Sequence, residues 1–174
     1  FLAACWIGIS SCAAQSRTEY VAPENTQFRV VGYVPGYRDL DAVPDRTLAQ
    51  LDIACYAFAT IDSRGIPRVA NEKQLARFVR RAHRLGVKVM LSFNGKHARF
   101  AQMASDDRQR KAFVDEIWRL VQRYHMDGVD NDWEYPLGSD GSGQGNLLLM
   151  KELAKKCREG RRQYYLTAAI TPGK

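Results

Sequence analysis

The sequence lacks a Cys-x-x-Cys pair, and no histidine lies close to Cys55 or Cys157 in the chain. Cys55 lies in an apolar strand pattern and Cys157 in a helical one, so both are expected to be buried small hydrophobic residues. Their spacing allows a disulfide, which a chain of this size does not require. Low-complexity tracts are also missing, and the hydrophobic and charged fractions of 45% and 26% are ordinary, which excludes fibrous and disordered classes.

The apolar run at the N-terminus, residues 1–9, is too short to span a bilayer. It is followed by small residues and no initiator methionine precedes it, so we expect the chain to begin inside an export signal. Residues 9–12 resemble a bacterial lipobox, which predicts lipidation of Cys12; Cys5 is a weaker candidate, and a buried apolar segment is the alternative. We therefore predict a signal remnant over residues 1–12, a tether over 13–27, and a secreted or envelope-anchored protein.

The net charge of +7 comes from basic residues on the predicted outer faces of helices. Runs of this kind are typical of solvated surfaces, and no basic stretch is interleaved with aromatic residues in a recognisable nucleic-acid-binding module. We therefore expect a monomer with no nucleic-acid partner, which meets a membrane only through a lipid anchor.

Apolar runs and helical spacing alternate along the rest of the chain. Five runs are typical of buried strands: residues 28–34, 51–61, 87–93, 126–134 and 164–170. Three helices are predicted between them: one with Leu75 and Phe78 between Asn71 and Gly86, one with Phe113 and Ile117 after Asp106 and Asp107, and one with Leu147, Met150, Leu153 and Cys157. This alternation predicts right-handed crossovers and a parallel sheet.

Two α/β architectures fit this pattern, an open doubly wound sheet and a closed barrel. The turn after the first strand reads Gly-Tyr-Val-Pro-Gly-Tyr at residues 32–37, which is not the G-x-G-x-x-G of a dinucleotide site. The carboxylates described below favour a closed (β/α)8 TIM barrel, which takes about 250 residues. We predict such a barrel, with residues 28–174 supplying its front part to about the fifth strand, and expect this portion by itself to aggregate or to show negligible turnover.

Carboxylates dominate the predicted fourth strand, where Asp130, Asp132 and Glu134 stand at alternate positions. Alternate residues of a strand share a face, so all three are predicted to point into the barrel near its carboxyl-end mouth. Crowded carboxyl groups cannot all ionise easily, and the one that keeps its proton can protonate a glycosidic oxygen. Glu134 is the predicted proton donor because it lies nearest the mouth and has the longest reach.

Two other interpretations of these acids are weaker. Salt-bridged surface carboxylates do not explain three acids in register at the end of an apolar strand. Alternating acids can ligate calcium or magnesium, but the calcium-loop pattern places glycine at its sixth position, where Tyr135 stands. We therefore predict neither a metal nor another cofactor.

The fourth strand resembles glycoside hydrolase family 18, the chitinases and their relatives, whose motif D-x-x-D-x-D-x-E is matched from Asp127 to Glu134. The likeness extends to Tyr135-Pro136, to Gly32-Tyr33, to the segment Tyr56-Ala57-Phe58 and to Ser92. It implies a retaining mechanism in which the substrate's own 2-acetamido group is the nucleophile. Chitin and chitooligosaccharides, built of β-1,4-linked N-acetylglucosamine, are the implied substrates.

The same resemblance implies a role for each matched residue. Glu134 would protonate the leaving oxygen and later activate water, while Asp132 would orient the acetamido group and share a proton or hydrogen bond with Asp130. Supporting or substrate-binding positions are implied for Asp127, Tyr135, Tyr33, Ser92 and Phe58. The family's sixth-strand tyrosine and last-strand tryptophan fall beyond Lys174.

Two departures stand out, and two alternative functions stay open. Asn94 replaces a glycine in the family's S-x-G-G turn, where asparagine tolerates positive φ. Asn131 replaces an apolar residue, which predicts a buried amide that needs partners. The alternatives are an endo-β-N-acetylglucosaminidase that cuts the chitobiose core of N-glycans and a non-hydrolytic glycan-binding protein, although binding members commonly lose the acid that Glu134 retains here.

Overall fold

The computed structural model describes residues 29–159 and 162–170. Its strands are β1 Val31–Pro35, β2 Ile53–Ile61, β3 Pro67–Val69, β4 Lys88–Asn94, β5 Gly128–Asn131 and β6 Tyr165–Ala168. Its helices are α1 Asp45–Leu48, α2 Glu72–Arg84, α3 His97–Ser105, α4 Asp107–Arg123 and α5 Ser142–Glu159. The predicted signal, tether and Cys12 lie outside these ranges.

The sheet has the order β1-β2-β4-β5-β6, and each of these neighbouring pairs is parallel. This confirms the parallel sheet predicted from the alternating pattern. β3 pairs antiparallel with the end of β2 and was not predicted, because a strand of three residues shows no periodicity. A tight turn joins the two strands: Asp62 accepts hydrogen bonds from Arg64 N and Ile66 N, and Gly65 takes φ of 80°.

Two predicted strands differ from the observed ones. The fourth was predicted over residues 126–134, but β5 ends at Asn131, so Asp132 and Glu134 lie beyond it. The first was predicted to be buried on both faces, yet Val31 and Tyr33 are 52% and 49% exposed. Within the described ranges β1 pairs with β2 alone, so one of its edges has no neighbour there.

The three predicted helices form, with one addition and one correction. Asn71 accepts from Gln74 N at 2.9 Å and begins α2, and Asp106 accepts from Arg108 N and Gln109 N and begins α4. α3, immediately before that cap, was not predicted. In α5 the buried stripe runs through Leu149 and Leu153, whereas Leu147, which was predicted to belong to it, is exposed. The prediction was wrong because a run of three leucines does not reveal which one faces the sheet.

The helices all pack on one face of the sheet. Buried residues of every helix join one hydrophobic core with the outward side chains of the strands, such as Leu91, Phe93 and Val129. The opposite face carries a small separate cluster of Ile53, Cys55 and Met90. A doubly wound sheet has helices on both faces, whereas helices on one face and side chains filling the other are typical of an arc of a (β/α) barrel.

Candidate active site

Asp130 is buried on the inner face of the sheet and is held by three hydroxyl groups from three different strands. Tyr33 OH and Ser92 Oγ donate to its Oδ2 at 2.9 and 2.8 Å, and Thr167 Oγ1 donates to its Oδ1 at 2.5 Å. Ser92 and Thr167 are its register partners in β4 and β6, which explains why their side chains reach it. Burial and the hydrogen bond to Asp130 raise the pKa of Tyr33, so its hydroxyl stays a donor.

Asp132 continues the direction of β5 although the strand has ended. Its backbone N–H donates to Phe93 O at 3.0 Å, and its Oδ2 accepts from Asn94 Nδ2 at 2.8 Å. The pKa of Asp132 is raised from its ordinary value. Burial is the main cause, the hydrogen bond from Asn94 acts against the rise, and the carboxyl groups of Glu134 and Asp130 add to it. The crowding of carboxyl groups that the sequence predicts thus contributes to the raised pKa of Asp132, and burial contributes more.

One cavity of about 420 Å³ brings Asp132 and Glu134 together. Its other lining residues come from β1, β2 and the turn after β1: Tyr33, Pro35, Tyr37, Ala57 and Phe58. Glu134 is exposed, whereas Asp132 is buried beside it. The cavity therefore presents a solvent-facing carboxyl group, a buried one, and aromatic rings against which a sugar can pack.

Two residues matched to the family motif lie elsewhere. Asp127 precedes β5 and borders a separate cavity of about 220 Å³ at the amino end of the strands, together with His83, Lys88 and Arg162. Tyr135 borders a third cavity of about 160 Å³, next to Asn131 and the residues after β6. The structure therefore groups Asp130, Asp132, Glu134, Tyr33, Ser92 and Phe58 and leaves Asp127 and Tyr135 outside that group.

The outward residues between the acids anchor the segment that carries them. Asn131 Nδ2 donates to Asn146 Oδ1 at 2.8 Å and its Oδ1 accepts from Trp133 N at 3.1 Å, so the buried amide has partners. Trp133 is buried against Phe100, and its indole N–H donates to His97 Nδ1 at 3.1 Å. These contacts to α3 and α5 fix the chain on both sides of Asp132.

Sequence reasoning missed two polar side chains of this group. Thr167 lies in a correctly predicted strand, but the register that sets it opposite Asp130 cannot be read from one sequence. Asn94 was interpreted as a turn residue with positive φ, yet among the described residues the one non-glycine residue with positive φ is His125. Its spacing of two from Ser92 was the available signal, because it puts both side chains on the same face of β4.

Cys55 lies on the inner face beneath this group. Burial, followed by the charges of Asp130 and Asp132, raises the pKa of its thiol to about 12. Cys55 and Cys157 are both free. Within the described ranges, no three His, Cys, Asp or Glu side chains lie where they could bind one metal ion.

No helix in the described part combines the length and the apolar character that a membrane crossing requires.

Comparison with known proteins gives a consistent result. The family model described as Glycosyl hydrolases family 18 matches residues 29–174. A probable endochitinase of Caenorhabditis elegans is 35% identical over 95 residues, and a class V chitinase of Arabidopsis thaliana is 31% identical over 110 residues. These matches cover 50% and 58% of this chain but 15% and 29% of the two relatives.

Solved structures agree with the sequence matches. A family 18 chitinase from Cycas revoluta, solved in complex with (GlcNAc)3, superposes with a TM-score of 0.73 at 28% identity. The superposition covers 82% of this chain and 46% of the plant chain. The predicted (β/α) barrel architecture is therefore confirmed for the part of the fold that this chain provides.

Proposed function

Because the chain belongs to glycosyl hydrolases family 18, we propose that the protein hydrolyses β-1,4-linked polymers or oligomers of N-acetylglucosamine, with Glu134 as general acid and base. The observation that best supports this is the cavity that Asp132 and Glu134 share with Tyr33 and Phe58. The relatives named as chitinases, and the (GlcNAc)3 bound to the Cycas revoluta enzyme, favour chitin-type substrates.

In the proposed reaction the carbonyl oxygen of the substrate's 2-acetamido group attacks the anomeric carbon. The bond from that carbon to the leaving oxygen breaks as Glu134 gives its proton to that oxygen, and a cyclic oxazolinium ion forms. Water then attacks the anomeric carbon and gives a proton back to Glu134. Two displacements at one carbon retain its configuration, and the product carries the acetamido group unchanged.

The buried carboxylates have separate tasks in this scheme. Asp132 lies beside Glu134 in the cavity and, when ionised, accepts a hydrogen bond from the acetamido N–H and stabilises the positive oxazolinium ion. Asp130 lies one level deeper, where Tyr33, Ser92 and Thr167 hold it in place. Because these donors are neutral, they do not cancel a negative charge on Asp130. In this scheme that charge adds to the field that stabilises the developing cation.

The decisive test is Glu134→Gln in the full-length protein, assayed on chitooligosaccharides beside the wild type. Loss of the proton donor should lower kcat by about 10²- to 10⁴-fold. Glu159→Gln, on the exposed end of α5, is the matched control and should behave as the wild type. Equal activity in Glu134→Gln and the wild type would remove Glu134 from the acid role.

Two further measurements separate this function from its alternatives. Substrate assistance predicts that the first product is the β-anomer in a proton NMR time course, and that a deacetylated oligomer is not cut where glucosamine must supply the nucleophile. Release of glycans from N-glycoproteins, with chitooligosaccharides left intact, would point instead to an endo-β-N-acetylglucosaminidase. Binding of chitooligosaccharides by wild type without any cleavage would identify a glycan-binding protein.

A further inference from the structure

Strands β4 and β5 support the carboxylates in two successive levels. Ser92 and Asp130 are register partners, and the serine hydroxyl donates to the aspartate. Two residues further along each chain, Asn94 Nδ2 donates to Asp132 Oδ2 at 2.8 Å, and Asp132 N donates to Phe93 O. The same cross-strand arrangement is thus repeated one level nearer the cavity, with an amide in place of a hydroxyl.

The orientation of the Asn94 amide is fixed by its other end. Gly95 N donates to Asn94 Oδ1 at 2.5 Å, so this atom is the acceptor and the Nδ2 group is the one that faces Asp132. A flipped amide would set an N–H group against the N–H of Gly95 and lose both hydrogen bonds. Backbone strain does not explain the asparagine, because positive φ is found at His125 and not at Asn94 among the described non-glycine residues.

The surroundings of Asp132 make this amide important for its charge. Across residues 29–159 and 162–170, no lysine, arginine or histidine forms an ion pair with Asp132, and Asn94 is the side chain that donates to it. Burial and the neighbouring carboxyl groups of Glu134 and Asp130 favour the protonated form, and Asn94 acts against them. A neutral donor stabilises the carboxylate without cancelling its charge.

We propose that Asn94 is a positioning residue that holds the Asp132 carboxylate against the β4 side of the cavity and favours its ionised form. The part of this proposal that concerns turnover rests on the proposed function, since it assumes that Asp132 acts on the substrate as an anion. The part that concerns ionisation does not, because it depends on the contact between the two side chains.

The first test measures turnover by the full-length Asn94→Ala variant across the acidic pH range. Without the amide, Asp132 holds its proton to higher pH, so the acid limb of kcat/KM should move upward by about one pH unit. At neutral pH kcat should fall roughly tenfold with a smaller change in KM, because the carboxylate loses its fixed orientation. Gln122→Ala, which removes an exposed amide from α4, should leave the profile of the wild type unchanged.

A second variant guards against a folding defect. Asn94→Asp has nearly the same shape but replaces the donor by a carboxyl group, so the acid limb should move further than in Asn94→Ala. A merely structural role for Asn94 would lower the melting temperature in both variants without moving the acid limb in either. That outcome would overturn the proposal.

The second test does not depend on hydrolysis. Carboxyl carbon-13 NMR follows the titration of Asp132, whose signal is identified by its loss in Asp132→Asn. The midpoint should rise in Asn94→Ala relative to the wild type even if the protein cuts no chitooligosaccharide, in which case the proposed function fails while the ionisation role of Asn94 stands. An active wild type whose Asp132 midpoint is the same with and without Asn94 would refute the inference and leave the proposed function intact.

Discussion

The two ends of β5 hold carboxylates in opposite ways. At the amino end, Asp127 is surrounded by basic groups: His83 Nε2 lies 2.7 Å from its Oδ2, and Arg162 Nη2 and Lys88 Nζ lie 3.1 and 3.8 Å from its Oδ1. The backbone N–H of Val89 also donates to Oδ2 at 2.8 Å. Both oxygens of this carboxylate therefore lie within ion-pair distance of a basic side chain.

At the carboxyl end the donors are neutral. Asp130 is bound by three hydroxyl groups and Asp132 by an amide, and among the described residues no basic group forms an ion pair with Asp130, Asp132 or Glu134. Cations would cancel the field of these acids, whereas hydroxyl and amide dipoles fix their positions and leave most of their charge to act. In the proposed function, this difference separates a structural carboxylate from the carboxylates that a cationic transition state would use.

The largest expected effect is on turnover by Asp130→Asn in the full-length protein. This change keeps the shape of the side chain but removes the deep negative charge, so kcat on chitooligosaccharides should fall by about 10²- to 10³-fold. Asp127→Asn removes a charge from the residue just before the other end of this strand and should retain the wild-type kcat per folded molecule. Similar losses of kcat in both variants would break the comparison between the two ends.

The two substitutions should affect stability in the opposite order, with Asp127→Asn more destabilising than Asp130→Asn. Asp127→Asn weakens charge-assisted hydrogen bonds to His83 and Arg162 and should lower the free energy of unfolding by about 2 kcal/mol. Urea denaturation, followed by far-UV circular dichroism, gives this value for both aspartate variants. If Asp130→Asn loses more stability than Asp127→Asn, the acids near the cavity are also the main structural ones.

Much of this contrast could be predicted from the sequence, because it depends on local pattern. Spacing and side-chain type are enough to predict the alternation of strands and helices, the start of α2 after Asn71, and the placing of Asp130, Asp132 and Glu134 at one end of the sheet. Each of these signals lies within a few residues of chain and needs no knowledge of what packs against it.

The rest depends on contacts between distant segments. The register that sets Thr167 against Asp130 joins residues 37 apart, and the link from Asn94 to Asp132 joins residues 38 apart. The early end of β5 was missed because Trp133 is as apolar as a strand residue, although it turns away to pack on Phe100. The ion cluster around Asp127 was missed because its basic members come from α2, β4 and the segment before β6.

A smaller effect is expected when one of the three hydroxyl donors is removed. Thr167→Val keeps the volume of the side chain but leaves Asp130 with Tyr33 and Ser92, so kcat should fall by roughly three- to tenfold. Thr47→Val, at an exposed position of α1, is the control for the same substitution. A loss of kcat as large as that of Asp130→Asn would mean that Thr167 alone, rather than the set of three hydroxyl groups, holds the Asp130 carboxylate in place.

The smallest effect concerns a carboxylate near the carboxyl end that does have a basic partner. His97 Nδ1 accepts from the Trp133 indole, so its Nε2 carries the hydrogen that it donates to Asp140 Oδ2 at 2.8 Å. Hydrogen bonds from Ser142, and then from His97, lower the pKa of Asp140 from 3.8 to about 2.

A folded-state pKa below the unfolded one means that Asp140 stabilises the fold above 3.8, and that this contribution is lost as the pH falls toward about 2. Asp140→Asn should therefore unfold at slightly lower urea concentration than the wild type near neutral pH, and the gap should close in strong acid. Asp39→Asn, at an exposed acid that forms no ion pair among the described residues, serves as the control. A gap that persists unchanged in strong acid would show that Asp140 acts through its shape and not through its charge.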